Sequence, residues 1–359
     1  MLSYEVVEHG KPLQAKLRET PVPGGTEVLV RITRSGVCHS DLHLQEGFFD
    51  LGGGKRASIR DRGVVPPFTV GHEPYGVVEA VGPEASGVKP GDRRLVYPWI
   101  GCGSCPVCAD GNDHYCLSPR TIGVVRPGAY ATHVLVPDAR YLLDVDGIDP
   151  AWAATLACSG LTAWSAIGKL PALAAREWVA VLGCGGLGMA AISMLRARGV
   201  SKVVACDVDA GKLAQALEQG AAAAVDSGAP DALARLQSIA GNAVAGALDF
   251  VGMPATATLG IAALAKGGHY VLCGLFGGEI TLPLPPIAQR AIAVRGSYVG
   301  SLRELEEVVE LARSGRLRPS PVELRPAADV NRCLDDLRAG RILGRAVLDF
   351  DGVDPDRPA

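Results

Sequence analysis

Four cysteines, Cys102, Cys105, Cys108 and Cys116, fall at the spacing Cys-x2-Cys-x2-Cys-x7-Cys within one short stretch. Thiolates this close in sequence can wrap one tetrahedral ion, and four sulfur ligands leave no open position. The pattern reads as a structural zinc site. Three cysteines at i, i+3 and i+6 are too close to pair sensibly with one another. Iron–sulfur ligation, paired disulfides and unrelated buried thiols are the alternatives. A closed zinc lobe directs attention to a second, open site. Cys38, His72 and Cys158 would supply two thiolates and one imidazole, and three protein ligands with one exchangeable position describe catalytic zinc. These three come from separate regions, so spacing does not tie them together. A lone buried His or Cys is more often core than ligand.

Gly183-Cys184-Gly185-Gly186-Leu187-Gly188 has the G-x-G-x-x-G pattern, directly after an apolar strand and at the opening of a helix. That context makes Gly183, Gly185, Gly186, Leu187 and Gly188 a dinucleotide-binding turn rather than a glycine-rich turn without ligand. Gly183 permits the turn, Gly185 lets backbone approach a pyrophosphate, and Gly188 lets helix and strand pack closely. The helix N-terminus faces the phosphates. Asp207 ends the next strand, 19 positions after Gly188. A carboxylate there binds both ribose hydroxyls of NAD and repels the extra phosphate of NADP, and Asp209 would add to the repulsion. The cofactor is therefore expected to be NAD. Lys212 is either a contact to the adenosine ribose or a solvated surface lysine.

The elements that must position these residues change texture along the chain. The first part reads as short strands split by Gly and Pro, at 27–35, 76–81, 93–97 and 131–136, which predicts an antiparallel, barrel-like, β-rich domain. From about residue 150, strands and helices alternate. Strands at 178–182, 202–206, 222–225, 247–251, 269–273 and 292–296, with helices at 187–198 and 211–219, predict an α/β, doubly wound parallel sheet. A further helix is expected at 302–314. A strand at 344–350 is expected to return to the first domain and make it discontinuous. The division expected is 1–157 for the β-rich domain, including the zinc lobe at 101–117, then 158–296 for the nucleotide domain and 297–359 for the returning segment. Residues 47–67, with Gly52-Gly53-Gly54 and mixed charge, read as a mobile surface loop. The functional alternative is a loop near a substrate entrance or a subunit contact.

Composition narrows the partners. A length of 359 residues allows two or three domains, and the net charge of −3 comes with no basic stripe, which argues against nucleic acid or an anionic membrane. No apolar run is long enough to span a bilayer, and the N-terminus lacks the regions of a signal peptide. Ten cysteines without an export signal predict a reducing, cytoplasmic setting.

Gly36-Val37-Cys38-His39-Ser40-Asp41, Gly71-His72-Glu73, the four-cysteine lobe and the glycine fingerprint occur in that order. Together they resemble the zinc-dependent medium-chain alcohol dehydrogenases, over nearly the full chain. The bacterial and archaeal tetrameric, NAD-dependent branch is the nearest in pattern, through Tyr97-Pro98-Trp99-Ile100 and the insert before Gly71. The resemblance implies a GroES-like catalytic domain beside a Rossmann domain, with two zinc ions per chain. It implies that Cys38, His72 and Cys158 hold the catalytic zinc, and that Glu73 is a carboxylate able to enter the metal shell. Asp41 would fix the His72 imidazole. Ser40 would take the alcohol proton and His43 would form the outer end of that relay, reached through the nicotinamide ribose. His39 and Arg345 would lie near the pyrophosphate, with a surface ion pair as the alternative for Arg345. Trp99 would be a substrate-pocket aromatic, or plain core. The implied activity is reversible oxidation of primary or secondary alcohols to aldehydes or ketones by a homo-oligomer, a tetramer or a dimer. A polyol or threonine dehydrogenase is the rival, although those relatives commonly carry Glu where this chain has Cys158. A non-catalytic nucleotide-binding member is the other alternative.

Overall fold

Two hydrophobic patterns build two sheet systems that meet at a cleft. The computed structural model describes residues 1–357. In the first system, Val28–Gly36 is the central strand. It pairs antiparallel with Pro74–Val81, His133–Val136 and Arg345–Asp349. Arg93–Val96 and Leu142–Asp144 extend the sheet on one side, and Val322–Pro326 runs parallel to Arg345–Asp349 on the other. The chain's last strand, Arg345–Asp349, thus pairs with a strand of the first part of the sequence.

The second system is a six-stranded parallel sheet. Its order is Ala223–Asp226, Val203–Asp207, Val179–Leu182, Val244–Asp249, Leu264–Leu272 and Ala293–Gly296. With the strands ranked by sequence this is 3-2-1-4-5-6, the doubly wound arrangement whose ligand crevice opens at the C-terminal ends of the central strands. Val179–Leu182 and Val244–Asp249 are buried at every residue, as strands covered by helices on both faces must be. The edge strand Ala293–Gly296 is mostly exposed.

Local chemistry sets the helix ends. Ser301 and Glu304 form a reciprocal capping box at the start of Leu302–Arg313. Leu305, Val308, Val309 and Ala312 give that helix one buried face at 3.6-residue spacing. Its other glutamates stay on the polar side.

The segment 47–67 departs from expectation. It is a β-hairpin, Phe48–Gly52 paired with Lys55–Ser58, followed by a 3-10 turn at Arg60–Arg62. Gly52, Gly53 and Gly54 have φ of 82°, 56° and 76°. Three consecutive left-handed residues are tolerable only for glycine, so the run that reads as a flexible loop encodes a tight hairpin turn. The hairpin reaches the nucleotide domain, where the Gly278 N–H donates to the Asp50 carbonyl at 3.4 Å.

Candidate active site

The chain turns at Gly36 out of the central strand into the short helix His39–Glu46. A side chain at Gly36 would collide with Glu73. Cys38 caps the helix, and its N–H donates to Asp41 Oδ2 at 2.9 Å. The same carboxylate oxygen accepts from the Tyr130 hydroxyl at 2.7 Å. Its other oxygen lies 3.1 Å from Nδ1 of His72. Asp41 thus ties the Cys38 turn and the His72 ring to one buried point. Glu73, next to His72, is fully buried and ion-paired with the guanidinium of Arg345, whose Nε donates at 3.2 Å.

Cys158 arrives from the other side. It lies in a π-helical turn, Leu156–Gly160, between the helices Pro150–Thr155 and Leu161–Ile167. Such turns widen a helix by one residue and are frequent at functional sites. Cys38, His72, Glu73 and Cys158 each offer a ligand atom within 4.8 Å of the others, and all four are buried. The two sulfurs are 3.9 Å apart. A tetrahedral zinc with Zn–S bonds of about 2.3 Å needs sulfurs separated by about 3.8 Å. His72 Nε2 is buried without a hydrogen-bond partner, as a ligating nitrogen would be. The hydrogen bond between the sulfurs, with Arg345 and His72 nearby, holds the Cys38 thiol well below its usual range. Burial opposes charge on His72, but Asp41 and Cys38 outweigh it and raise its pKa to about 10. Donor number and spacing fit a divalent thiophilic cation, whose binding would displace the proton from His72. Ser40 lies at the same place, its hydroxyl 3.6 Å from the Cys38 sulfur.

The second cysteine set is also assembled. Cys102, Cys105, Cys108 and Cys116 bring their sulfurs within 4.8 Å of one another, with pairs at 3.4, 3.8 and 4.0 Å. None of the ten cysteines is in a disulfide. Backbone N–H groups of Cys102 and Ser118 donate to the Cys116 sulfur, each at 3.3 Å. This set too fits zinc, in a closed tetrahedron.

At the nucleotide turn, Gly183 has φ 88°, and a side chain at Gly188 would collide with the Gly183 carbonyl. Gly185 faces open space and precedes the helix Gly186–Ala197, which has no side-chain cap. Free N–H groups beside open space fit a pyrophosphate. Leu187 reaches the cleft cavity. Asp207 accepts from the Cys184 N–H at 2.7 Å and the Asp209 N–H at 3.0 Å, which fixes its carboxylate at the strand end. The Asp209 carboxylate also caps the next helix, accepting from the Lys212 N–H at 2.9 Å. Arg345 is 4% exposed and lies between Glu73 and Gly186, where its Cδ is 3.0 Å from a Cβ built on that glycine. It is therefore buried, not a surface ion pair. His39 packs on Phe276, ring centroids 4.9 Å apart. Burial, with added pressure from the charges of Arg345, His43 and Lys212, lowers its pKa to about 4. His43 packs on Phe49 at 4.9 Å, and its Nε2 is buried without a partner.

The cleft between the systems holds a cavity of about 130 Å³ that reaches Cys38, Ser40, His72 and Cys158. Trp99 forms one wall. Its indole N–H donates to the Ala157 carbonyl at 2.9 Å, and its ring lies 5.2 Å from that of His72. Several lining residues escaped sequence reasoning: Phe49, Arg62, Thr162, Ser297 and Tyr298. Ser297 and Tyr298 follow a parallel strand at its C-terminal end, a position that itself signals ligand contact. Ser297 Oγ is buried without a partner. Tyr130, which steadies Asp41, carries no signal in the sequence.

Residues 24–146 match the alcohol dehydrogenase GroES-like domain and residues 186–314 the zinc-binding dehydrogenase domain. NAD-dependent alcohol dehydrogenases of Sulfurisphaera tokodaii and Saccharolobus solfataricus are each 34% identical over 349 residues, covering 97% of this chain and 99% of theirs. The alcohol dehydrogenase of the archaeon Aeropyrum pernix superposes with a TM-score of 0.87 at 31% identity, over 97% of this chain and 100% of that one. The acetophenone reductase of Geotrichum candidum, solved in complex with NAD, gives 0.83 at 29% identity, over 98% of each chain.

Proposed function

The chain belongs to the zinc-dependent medium-chain alcohol dehydrogenase family, and from that premise we propose that it oxidises primary or secondary alcohols to aldehydes or ketones, reversibly, with NAD. The observation that carries the reading is the buried set of two sulfurs and the His72 imidazole, whose Nε2 has no hydrogen-bond partner, in a cleft that Leu187 of the glycine turn also lines. When bound, zinc supplies Lewis acidity toward the alcohol oxygen and NAD supplies the carbon that accepts the hydride.

The chain's own residues do the rest. Cys38, His72 and Cys158 hold the catalytic metal, and Asp41 orients His72 through Nδ1 so that Nε2 faces inward. Glu73 stands within reach of the same centre, held by Arg345. Ser40 accepts the alcohol proton at Oγ and passes it toward His43. Apolar walls around the cavity exclude water, which strengthens each charge interaction there. Gly183, Gly185, Gly186, Leu187 and Gly188 cradle the pyrophosphate, and Asp207 takes the adenosine ribose. Lys212, His39 and Arg345 lie along the same cofactor path. Cys102, Cys105, Cys108 and Cys116 hold the structural zinc. Trp99 shapes the substrate pocket.

The domain division that accompanies this reading is 1–157, 158–296 and 297–359, with the last segment completing the first domain. A cytoplasmic location is favoured by the free thiols. No helix among the described residues is long and apolar enough to cross a membrane. A homotetramer, built on dimers, is favoured by the exposed edge strand Ala293–Gly296, where Val294 is 48% exposed.

The test is a screen of NADH formation by the zinc-loaded protein across primary, secondary, cyclic and aromatic alcohols. No NADH from any of them would return the chain to the polyol or non-catalytic readings.

A further inference from the structure

The cavity that reaches the metal-ligand set carries one charged side chain outside that set. It is Arg62, in the 3-10 turn after the hairpin. No aspartate or glutamate shares the lining. The turn that presents Arg62 is anchored: Ile59 before it is 1% exposed and its N–H donates to the Gly47 carbonyl at 3.0 Å. The Arg62 guanidinium lies over the Phe49 ring, 5.0 Å from its centroid, which directs it along the cavity wall. Among the described residues it makes no ion pair. Arg62 is exposed and so sits at the mouth, with half-exposed Tyr298 also at the rim. Its charge opposes the rise that partial burial imposes on the Tyr298 phenol.

Polarity therefore runs in order along the cavity. The buried metal-ligand set and Ser40 lie at one end, Phe49, Ile59 and Val64 form apolar wall interrupted by the hydroxyls of Thr162 and Ser297, and exposed Arg62 stands at the other end as the one unpaired cation. A cation left uncompensated at the end of an apolar channel selects for negative charge at that end of the ligand. A single guanidinium matches a single planar anion, which it can grip through two N–H groups. A doubly charged phosphate would call for a second cation, and none lines the cavity. The cavity is small: at 130 Å³ it is under the roughly 150 Å³ that accommodates benzene, and Leu187 of the glycine turn shares its lining, so a carbon spacer beside the nicotinamide is short and leaves the anion at the mouth.

Resting on the alcohol dehydrogenase reading, we propose that Arg62 is a specificity-determining residue that selects alcohols bearing a carboxylate several bonds from the carbinol carbon, ω-hydroxy carboxylates and the matching oxo acids. The hydrogen-bonded carboxylate binds alike in ground and transition states, so its effect falls on KM.

The experiment measures kcat/KM with NAD for 4-hydroxybutyrate and 6-hydroxyhexanoate against 1-butanol and 1-hexanol, in the native protein and in Arg62→Gln and Arg62→Lys. The native protein should prefer the hydroxy acid of each pair. Arg62→Gln should lower the acid-to-alcohol ratio by about tenfold, mainly through KM, the size of one charge-assisted hydrogen bond. Arg62→Lys should restore part of the ratio. Turnover of the plain alcohols without preference for the acids, or a ratio unchanged in Arg62→Gln, overturns the assignment while leaving the dehydrogenase intact. No NADH from either class overturns the underlying reading and the assignment with it.

Discussion

Asp41 Oδ1 lies 3.1 Å from Nδ1 of His72, and both side chains are wholly removed from solvent. The same carboxylate takes the Cys38 N–H and the Tyr130 hydroxyl. One buried charge therefore sets both the ring that would ligate metal and the turn that presents a metal-binding sulfur. Replacing Asp41 with Asn keeps the shape and removes the charge. Zinc affinity at the catalytic site should fall by about 10–100-fold, while the four-cysteine site keeps its ion. Zinc release followed with a chromophoric chelator separates the two. Equal release from both sites, or unchanged affinity, would show that Asp41 does not tune His72.

Cys38→Ser and His72→Ala each remove one donor from a set of three. Loss of the Lewis acid forfeits several kcal/mol of transition-state stabilisation, on the order of a thousandfold in kcat. The glycine turn and Asp207 lie elsewhere, so NADH binding, read by fluorescence, should persist. A variant that still turns over alcohol at near-native rate would remove Cys38 and His72 from the metal centre.

The closed cysteine set and the glycine turn were legible because their spacing is local, whereas Cys38, His72 and Cys158 were joined only through the family resemblance. Four cysteines within one stretch and six residues of glycine turn each declare a geometry that the chain cannot avoid. The turn-split short strands and the strand–helix alternation likewise signalled both sheets, including the return of Arg345–Asp349 to Val28–Gly36. What stayed hidden is non-local. Tyr130 reaches Asp41 only because strands far apart in sequence converge. Arg345 reads in sequence as a pyrophosphate contact or a surface ion pair, and neither reading includes its buried pairing with Glu73. The hairpin after Gly47 was masked by its own glycines, which suggest looseness and instead permit three left-handed residues in a row.

Cofactor choice rests on Asp207 more than on its neighbour. Two backbone N–H groups fix the Asp207 carboxylate, whereas that of Asp209 is engaged in capping the following helix. Asp207→Ala should lower the NAD-to-NADP preference in kcat/KM by at least about tenfold, the equivalent of 1.4 kcal/mol. Asp209→Ala should change that preference little and cost about 1 kcal/mol of stability through the lost cap. An unchanged preference in Asp207→Ala would relocate the discrimination.

The closed cysteine set should act on stability before chemistry. Cys105→Ser leaves three sulfurs and breaks the tetrahedron. Zinc content should drop from about two ions per chain to about one. Losing a structural metal, at roughly 2–3 kcal/mol, should lower Tm on the order of 5–10 °C. Activity measured at low temperature should remain. Loss of turnover with no change in Tm would give this lobe a part in the reaction.

Burial lowers the pKa of His43 below its ordinary value, with Glu46 and Cys38 opposing. A lowered pKa keeps the imidazole neutral, and so able to accept a proton, to a pH below about 6.5. Below 6.5 the unfolded chain binds this proton more readily than the folded one, so His43 withdraws stability as pH falls toward its folded pKa. Alcohol oxidation, which must export a proton, should hold until the same low pH and decline beneath it. His43→Ala removes the acceptor, so oxidation should slow most at low pH, where solvent hydroxide is scarcest, by about 10–100-fold for a general base. Small amine buffers should recover part of the rate. A pH profile that matches the native one, with no response to buffer, would place the proton's exit route away from His43.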